Sequence, residues 1–247
     1  MIYFFLLAFV CYTAMQFVET VSFGSRLAGK LTNRLSLGTT LQHSFFVSSR
    51  LFLPPLLLSL SYLIESKLDV KTFLLMASSL TFASFFASLV VFQNFNYFQI
   101  FFQRLFEQYE SNSIPVSLFK VLFNKKRKLK YKNIDYIPKI GTLSLKKCAV
   151  SCFAYFFLST GFLFSFSLAI LIPDYRMTMS QLSTAFHGIG AIVLALFIDP
   201  MLCRSLDVVM KNSDWIDNIY SIFVGRLMAY LLSSILFIVF YLNIYYS

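Results

Sequence analysis

Six long apolar stretches run along the chain, at about residues 1–24, 36–64, 72–100, 147–173, 178–199 and 220–246. The hydrocarbon core of a bilayer is about 30 Å thick, and a helix needs roughly 20 apolar residues to cross it. None of the stretches shows the alternation of apolar and polar residues that marks a transmembrane β-strand. The pattern therefore predicts an all-α, polytopic integral membrane protein, with about six transmembrane helices in a single domain, 1–247.

The composition agrees with this prediction. Apolar residues make up 58% of the chain, and 31 residues are Phe, which is more apolar surface than a soluble protein of this length can cover. No Lys or Arg precedes Arg26, so the first stretch lacks the basic start of a signal peptide. We therefore expect it to be an uncleaved first span.

Lys and Arg are distributed unevenly between the loops. Most of the 21 lie after the first, third and fifth spans, above all in a basic loop at 104–147. Because cytoplasmic loops carry the excess of Lys and Arg, we predict that these loops are cytoplasmic and that both termini face outward. The net charge of +10 then lies beside the anionic inner leaflet and requires no nucleic acid as a partner.

The residues after the third span show two helical patterns. "FQNFNYFQIFFQRLFEQYE" keeps helical spacing, which predicts that the third helix continues into the cytoplasmic interface. "SIPVSLFKVLFNKKRKLKYK" begins with Ser113 and Pro115, which suit a helix start, and ends in a basic cluster. We predict an interfacial helix whose basic tail either attracts anionic lipid or only fixes the topology.

Ionisable side chains within the spans are the candidate functional residues. A charge inside a bilayer costs at least about 2.5 kcal/mol, so it should face a partner or a wet cavity. Glu19, Ser22 and Arg26 lie on one helix face. The acid and the base are about 10 Å apart, too far to satisfy each other alone. The ionisable candidates are Glu19, His43, Arg50, His187, Asp199 and Arg226, with Arg26 at the boundary. Ser22 joins them as a hydrogen-bonding group between Glu19 and Arg26.

Arg50 is the strongest signal in this set. It lies near the middle of the second span, shortly before the proline pair at 54–55, and His43 precedes it on the same face. Two interpretations stay open. Arg50 pairs with Glu19 or Asp199 and holds helices together, or the surplus of guanidinium groups binds an anion, because Arg meets phosphate with a planar fork.

Other polar residues favour structural roles. Asp214 and Asp217 form an acidic pair at helical spacing, which is more typical of a solvated helix face than of a metal site. His187, with Gly188 and Gly190 close by, is typical of a histidine that hydrogen-bonds between packed helices. The four cysteines lack metal-ligand spacing. Since no motif of a soluble catalytic domain is present, we expect no metal and no cofactor.

Four motifs follow one another along the chain: "VETVSFGSRLAG", "SSRLFLPPLL", "FIDPMLCRSLD" and "VGRLMAYLLSS". Together they resemble the Amj family of bacterial lipid II flippases. The resemblance implies that the protein moves lipid II, the undecaprenyl-diphosphate-linked precursor of peptidoglycan, from the inner to the outer leaflet of the cytoplasmic membrane. It implies a transporter rather than an enzyme, with lipid II and the bilayer as partners. A homo-oligomer stays open.

The residues and the resemblance agree on an anionic lipid headgroup. We expect the arginines to contact its diphosphate in a cavity between spans 1, 2, 5 and 6, while two carboxylates orient them: Arg26, Arg50, Arg226, Glu19 and Asp199. The polyprenyl tail would stay in the lipid. Asp199-Pro200 is also expected to end the fifth span, because proline disrupts helix hydrogen bonding.

The end of span 1 forms the inner mouth of the path in this hypothesis. Glu19 should be partly buried and face spans 2 and 5, while Arg26 reaches toward water and phosphate. Ser22 would hydrogen-bond between them, and Gly24 admits either a headgroup or a neighbouring helix. Glu19, Asp199 or His43 are the groups that would take up a proton.

Two other classes of function stay open. An intramembrane enzyme acting on polyprenyl diphosphates needs a nucleophile or metal carboxylates near the arginines, where Asp199, Asp207 and the histidines are the candidates. A membrane scaffold would use its charges only to hold helices together, and it would tolerate an exchange of Glu19 with Arg50.

The predicted topology is tested with single cysteines in a variant whose four native cysteines are replaced by Ala. A membrane-impermeant maleimide should label Lys67→Cys in intact cells, because the loop after span 2 is predicted to face outward. Lys30→Cys should react only after the membrane is permeabilised. The reverse pattern would contradict the predicted orientation.

Overall fold

A computed structural model describes residues 1–123, 140–207 and 212–246. Within these ranges the chain is built from helices, with no strand. The α-helices are α1 (Ile2–Leu31), α2 (Leu35–Ser48), α3 (Leu53–Glu65), α4 (Val70–Gln93), α5 (Phe95–Tyr109), α6 (Ile114–Phe123), α7 (Leu145–Leu171), α8 (Arg176–Val193), α9 (Asp199–Asp207) and α10 (Asn212–Tyr246).

Among the described residues, six helical stretches are long and apolar enough to cross a membrane. They are Ile2–Leu31, Leu35–Glu65, Val70–Gln93, Leu145–Leu171, Pro173–Arg204 and Trp215–Tyr246. The predicted all-α, polytopic fold with about six transmembrane helices is therefore confirmed. We number these stretches as spans 1 to 6.

Span 2 is not one continuous α-helix. A 3-10 turn, Ser49–Phe52, joins α2 to α3, and Pro54 and Pro55 lie at the start of α3. Proline lacks a backbone N–H and is tolerated in the first turn of a helix, where that group has no partner within the helix. The proline pair therefore starts a new helix, and Arg50 lies in the tighter turn just before it.

Span 5 contains a second irregularity. A π-helical segment, Leu194–Ile198, joins α8 to α9, and α9 begins at Asp199 with Pro200 in its first turn. The prediction that Asp199-Pro200 ends the span is therefore wrong. Pro200 has no backbone N–H, and it lies just after the π-helical segment, where the regular α-helical hydrogen bonding of the span is interrupted. Single π-helical turns inside helices often mark functional positions.

Span 3 ends earlier than predicted. α4 stops at Gln93, and Asn94 leaves the helix, with its side-chain amide donating to the carbonyl of Val90 at 2.9 Å. α5 then starts at Phe95 and packs against α1 and α6. The prediction of one continuing helix is therefore wrong, because the helix is interrupted at Asn94 and a separate helix, α5, follows.

α6 has the character predicted for an interfacial helix. Phe119, Leu122 and Phe123 expose large apolar side chains, which suits a helix that lies against the acyl chains at a bilayer surface. The basic tail that the sequence places after it lies outside the described residues.

The buried core consists of two apolar clusters separated by polar residues. One cluster includes Phe23, Tyr155 and Phe223, and the other includes Tyr12 and Phe237. Four helices contribute residues to both clusters. On each of these helices, buried polar residues lie between the segment in the first cluster and the segment in the second. These buried polar positions are Gln16, Glu19 and Thr20 on α1, Ser84 and Ser88 on α4, Ser159 and Thr160 on α7, and Ser233 and Ser234 on α10.

Hydrogen bonds join the helices across this polar layer. The hydroxyls of Thr20 and Ser88 are 3.1 Å apart, and those of Ser159 and Ser233 are 3.0 Å apart. The hydroxyl of Tyr12 donates to the carbonyl of Ser159 at 2.8 Å. Apolar lipid supplies no hydrophobic force between helices, so small residues and hydrogen bonds of this kind hold a membrane bundle together.

The contact between α7 and α10 depends on Gly225. A Cβ added there would clash with the backbone carbonyl of Cys148 and lie 2.8 Å from the Cβ of Ser151. We predict that Gly225→Ala lowers the free energy of unfolding by about 2 kcal/mol, because overpacking a tight contact forces helices apart. Thermal unfolding of the purified protein in detergent measures this effect.

Gly188→Ala is the matched control, because no atom lies within 4 Å of a Cβ added at Gly188 in α8. Gly188→Ala should leave the midpoint temperature of unfolding unchanged or raise it, since Ala is about 1 kcal/mol more favourable than Gly within a helix. Equal effects of the two substitutions would contradict the packing argument.

Candidate functional site

Glu19 lies at the centre of a buried ionic network. It is 3% exposed. One carboxylate oxygen, Oε2, accepts a hydrogen bond from Arg226 at 3.0 Å, and the other, Oε1, accepts one from the hydroxyl of Ser49 at 3.1 Å. Nη2 of Arg50 is 3.9 Å from Oε1. Glu19 is thus buried more fully than predicted, and it faces spans 2 and 6 rather than spans 2 and 5.

Arg226 is the most enclosed member of the network, with no exposed surface. Besides Glu19, it donates to the side-chain oxygen of Gln16 at 3.2 Å and to the hydroxyl of Tyr230 at 2.7 Å. Its guanidinium lies 4.4 Å from the ring centre of Tyr155, which adds a cation–π contact. These contacts on several sides fix span 6 against span 1 and span 4.

Arg50 is held more loosely. Its Nη1 donates to Nε2 of His187 at 2.6 Å, and its guanidinium lies 4.8 Å from the ring centre of Phe46. The accepting imidazole must be neutral, because an arginine cannot accept. The side chain of Arg50 is 26% exposed, and its nearest carboxylate, that of Glu19, is already bound by Arg226. Arg50 is therefore the least neutralised arginine of this network.

His187 has the packing role that the sequence predicted. It bridges spans 5 and 2 through Arg50, and its ring lies 4.9 Å from that of Phe162 on span 4. Within the described part of the chain, span 5 is linked to Glu19 through this histidine and Arg50.

Arg26 and Asp199 form a second ion pair, which joins span 1 to span 5. Nη2 of Arg26 lies 2.6 Å from Oδ1 of Asp199. The side chain of Arg26 has no exposed surface, and its Nε and Nη1 have no hydrogen-bond partner among the described residues. The prediction that Arg26 reaches water is therefore wrong, since a packed neighbour supplies its counter-charge within the bundle.

A cavity of about 220 Å³ lies between spans 1, 2, 4 and 5. Of the predicted site residues, His43 and Asp199 line it, while Arg26 and Arg50 adjoin it through Asp199 and Phe46. The sequence predicted a cavity between spans 1, 2, 5 and 6. In the structure span 4 replaces span 6 as one wall, because Tyr155 of span 4 lies between this space and Arg226. Its polar and aromatic walls are Gln42, His43, Asp199, Phe23, Phe46 and Tyr155.

Ser22 and Gly24 have local roles in this arrangement. The hydroxyl of Ser22 donates to the carbonyl of Glu19 within α1 at 2.7 Å, so it does not bridge Glu19 and Arg26. A Cβ on Gly24 would lie 3.2 Å from the ring of Phe102. Gly24 therefore admits a neighbouring helix, α5, which is the packing alternative of the two that the sequence left open.

Sequence reasoning missed five polar residues that complete the site: Gln16, Gln42, Ser49, Tyr155 and Tyr230. Gln16 and Gln42 carried a usable signal, because an uncharged amide within an apolar span also needs a partner. The two tyrosines carried none, since Tyr is common in membrane helices as an apolar ring with a polar tip.

No group of three or more His, Cys, Asp or Glu side chains that would suit a metal ion occurs among the described residues. The side chains of Asp207 and Asp214 lie outside that part of the chain, so the acidic pair of Asp214 and Asp217 stays a prediction.

We predict that Arg226→Gln lowers the free energy of unfolding by about 3–5 kcal/mol, because it leaves the buried carboxylate of Glu19 without its main counter-charge. The double variant Glu19→Gln with Arg226→Gln should recover part of this loss. Thermal unfolding in detergent gives both values.

Arg34→Gln is the control, because Arg34 pairs with Glu110 at an exposed position, and such pairs contribute about 1 kcal/mol or less. An Arg226→Gln variant as stable as Arg34→Gln would contradict a structural role for the buried pair.

Comparison with known proteins agrees with the motifs. A family model described as "Amj: Alternate to MurJ" matches residues 12–245, nearly the whole chain. Curated proteins and solved structures give no match. The match includes at least part of each of the six long apolar helical stretches and both ion pairs of the site. The chain is a multi-pass membrane protein that belongs to the Amj family.

Proposed function

We propose that this protein is a lipid II flippase of the bacterial cytoplasmic membrane. It moves the headgroup of an undecaprenyl-diphosphate-linked peptidoglycan precursor from the inner to the outer leaflet, while the polyprenyl chain stays in the lipid. Membership of a family described as an alternate to MurJ supports this proposal. The anionic inner leaflet would surround the cytoplasmic loops.

The observation that carries the proposal is the position of Arg50. Its charge is shared with a neutral imidazole and with a carboxylate 3.9 Å away, and part of its side chain is exposed. A diphosphate would supply the paired oxygen acceptors that a guanidinium fork recognises best. Arg50 is therefore the first contact of the diphosphate in this proposal.

The charge balance of the site also supports an anionic ligand. Among the residues that the structure describes, three guanidinium groups, of Arg26, Arg50 and Arg226, pair with two carboxylates, of Glu19 and Asp199. The surplus positive charge lies within the membrane bundle, where an unpaired charge is costly. Binding of a diphosphate would lower the free-energy cost of this charge. Entry of the headgroup into the bundle would therefore be favourable.

The irregular helices suit a transport path. The 3-10 turn that carries Arg50 and the π-helical segment before Asp199 interrupt spans 2 and 5. Transporters bind substrates at interrupted helices of this kind, where backbone groups are available and small changes in the helix move side chains. Arg226 and Glu19 would form the fixed part of the site, and Arg50 and Asp199 the part that follows the headgroup.

The test is complementation of a bacterial strain depleted of its main lipid II flippase. Lipid II in the outer leaflet is measured with an externally added, membrane-impermeant enzyme that cleaves its headgroup. We predict that Arg50→Gln lowers this signal by about 10- to 100-fold. This is the loss of binding expected when hydrogen bonds to a charged group are removed. Arg50→Lys should recover only part, because an ammonium keeps the charge without the fork.

Arg176→Gln is the matched control, since Arg176 begins α8 at the other end of span 5 from the ion pairs. Unchanged outer-leaflet lipid II in Arg50→Gln, with normal protein levels, would contradict the proposal. A double exchange, Glu19→Arg with Arg50→Glu, that restored growth would favour the scaffold class instead. Phosphate release from undecaprenyl diphosphate by the purified protein would favour the enzyme class.

A further inference from the structure

The cavity beside the ion pairs has a wall composition that the diphosphate does not explain. Its polar groups are the amide of Gln42, the imidazole of His43 and the carboxylate of Asp199. None of these is a guanidinium, the planar fork with which the arginines would bind phosphate. A neutral ligand with hydroxyl groups, however, both donates to carboxylate and amide oxygens and accepts from amide and imidazole N–H groups.

Gln42 is the clearest sign that the cavity takes a ligand. It is 8% exposed, and its side-chain oxygen Oε1 has no hydrogen-bond partner among the described residues. A buried acceptor without a partner costs about 1–3 kcal/mol. Because Gln42 lines the cavity, a donor placed there would remove that cost.

Asp199 keeps part of its acceptor capacity for the cavity. One oxygen, Oδ1, accepts from Arg26, which neutralises the charge. The side chain is nevertheless 20% exposed, and a carboxylate accepts up to about four hydrogen bonds. The ion pair therefore leaves a carboxylate that accepts hydroxyl donors without repelling a nearby diphosphate strongly.

The remaining walls are flat and aromatic. Phe23, Phe46 and Tyr155 line the same cavity. A sugar ring directs its hydroxyls outward around its edge and exposes C–H groups on its faces, and aromatic rings pack against such faces. The volume, about 220 Å³, is large enough to admit one sugar ring.

The position of the cavity relative to Arg50 matches the order of groups in such a lipid. Phe46 is shared, since its ring contacts the guanidinium of Arg50 and also lines the cavity. Ala191, which also lines the cavity, follows His187, the partner of Arg50, by one helical turn. A diphosphate on Arg50 would therefore place the next group of the headgroup at the cavity.

We propose that this cavity is a subsite for the uncharged sugar ring attached directly to the diphosphate, with Gln42, Asp199 and His43 as its hydrogen-bonding groups. The inference rests on the proposed function, and it makes the site selective for diphosphate lipids that already carry a sugar.

Native mass spectrometry of the purified protein in detergent tests this subsite. Undecaprenyl diphosphate competes there with undecaprenyl diphosphate that carries one N-acetylhexosamine. The unsubstituted protein should bind the sugar-bearing lipid about tenfold more tightly, as expected for one or two added hydrogen bonds. Gln42→Met keeps the size of the side chain and removes its polar atoms. It should reduce this preference to about twofold and leave the affinity for the sugar-free lipid unchanged.

Ser44→Ala is the control on the same helix, because the hydroxyl of Ser44 donates to the carbonyl of Thr40 within α2. It should keep the full preference. Equal binding of the two lipids by the unsubstituted protein would overturn the subsite alone. If Gln42→Met lowered the affinity for both lipids equally, the subsite would also be overturned. If neither lipid binds better than phosphatidylglycerol, the proposed function fails together with the subsite.

Discussion

The burial of the Glu19 carboxylate constrains the rest of the structure. A charge without water or a counter-charge is costly in a membrane protein, and Glu19 is almost completely enclosed. Its two oxygens therefore need partners from other helices, and they obtain them from Ser49 on span 2 and Arg226 on span 6. One acidic residue on span 1 thus fixes the positions of two other spans.

The irregular parts of spans 2 and 5 follow from the same requirement. A regular α-helix repeats every 3.6 residues, so it presents side chains only at fixed angles. The 3-10 turn at Ser49–Phe52 presents both Ser49 and Arg50 toward span 1, and the π-helical segment comes just before the residue that pairs with Arg26. Irregular helix geometry and ion pairing coincide at both places.

The site divides into a rigid part and a part open to a ligand. Arg226 has partners on several sides and no exposed surface, whereas Arg50 is a quarter exposed and Asp199 lines a cavity. Polar residues on four helices separate the two apolar clusters at this level. The bundle is therefore held firmly where charge is most deeply buried and is more accessible beside it, which is the arrangement that a binding site for an amphiphilic lipid needs.

The sequence alone determined the fold class, the six spans and the set of charged candidates, because membrane insertion is governed by apolar length and by charge, both of which are local. It also indicated that Glu19 and Arg26 needed partners beyond each other. Only the tertiary structure decided those partners: Arg226 for Glu19, Asp199 for Arg26 and His187 for Arg50. Pairing depends on which helix faces meet, and residues more than 170 positions apart in the chain, such as Arg26 and Asp199, carry no local signal of that contact.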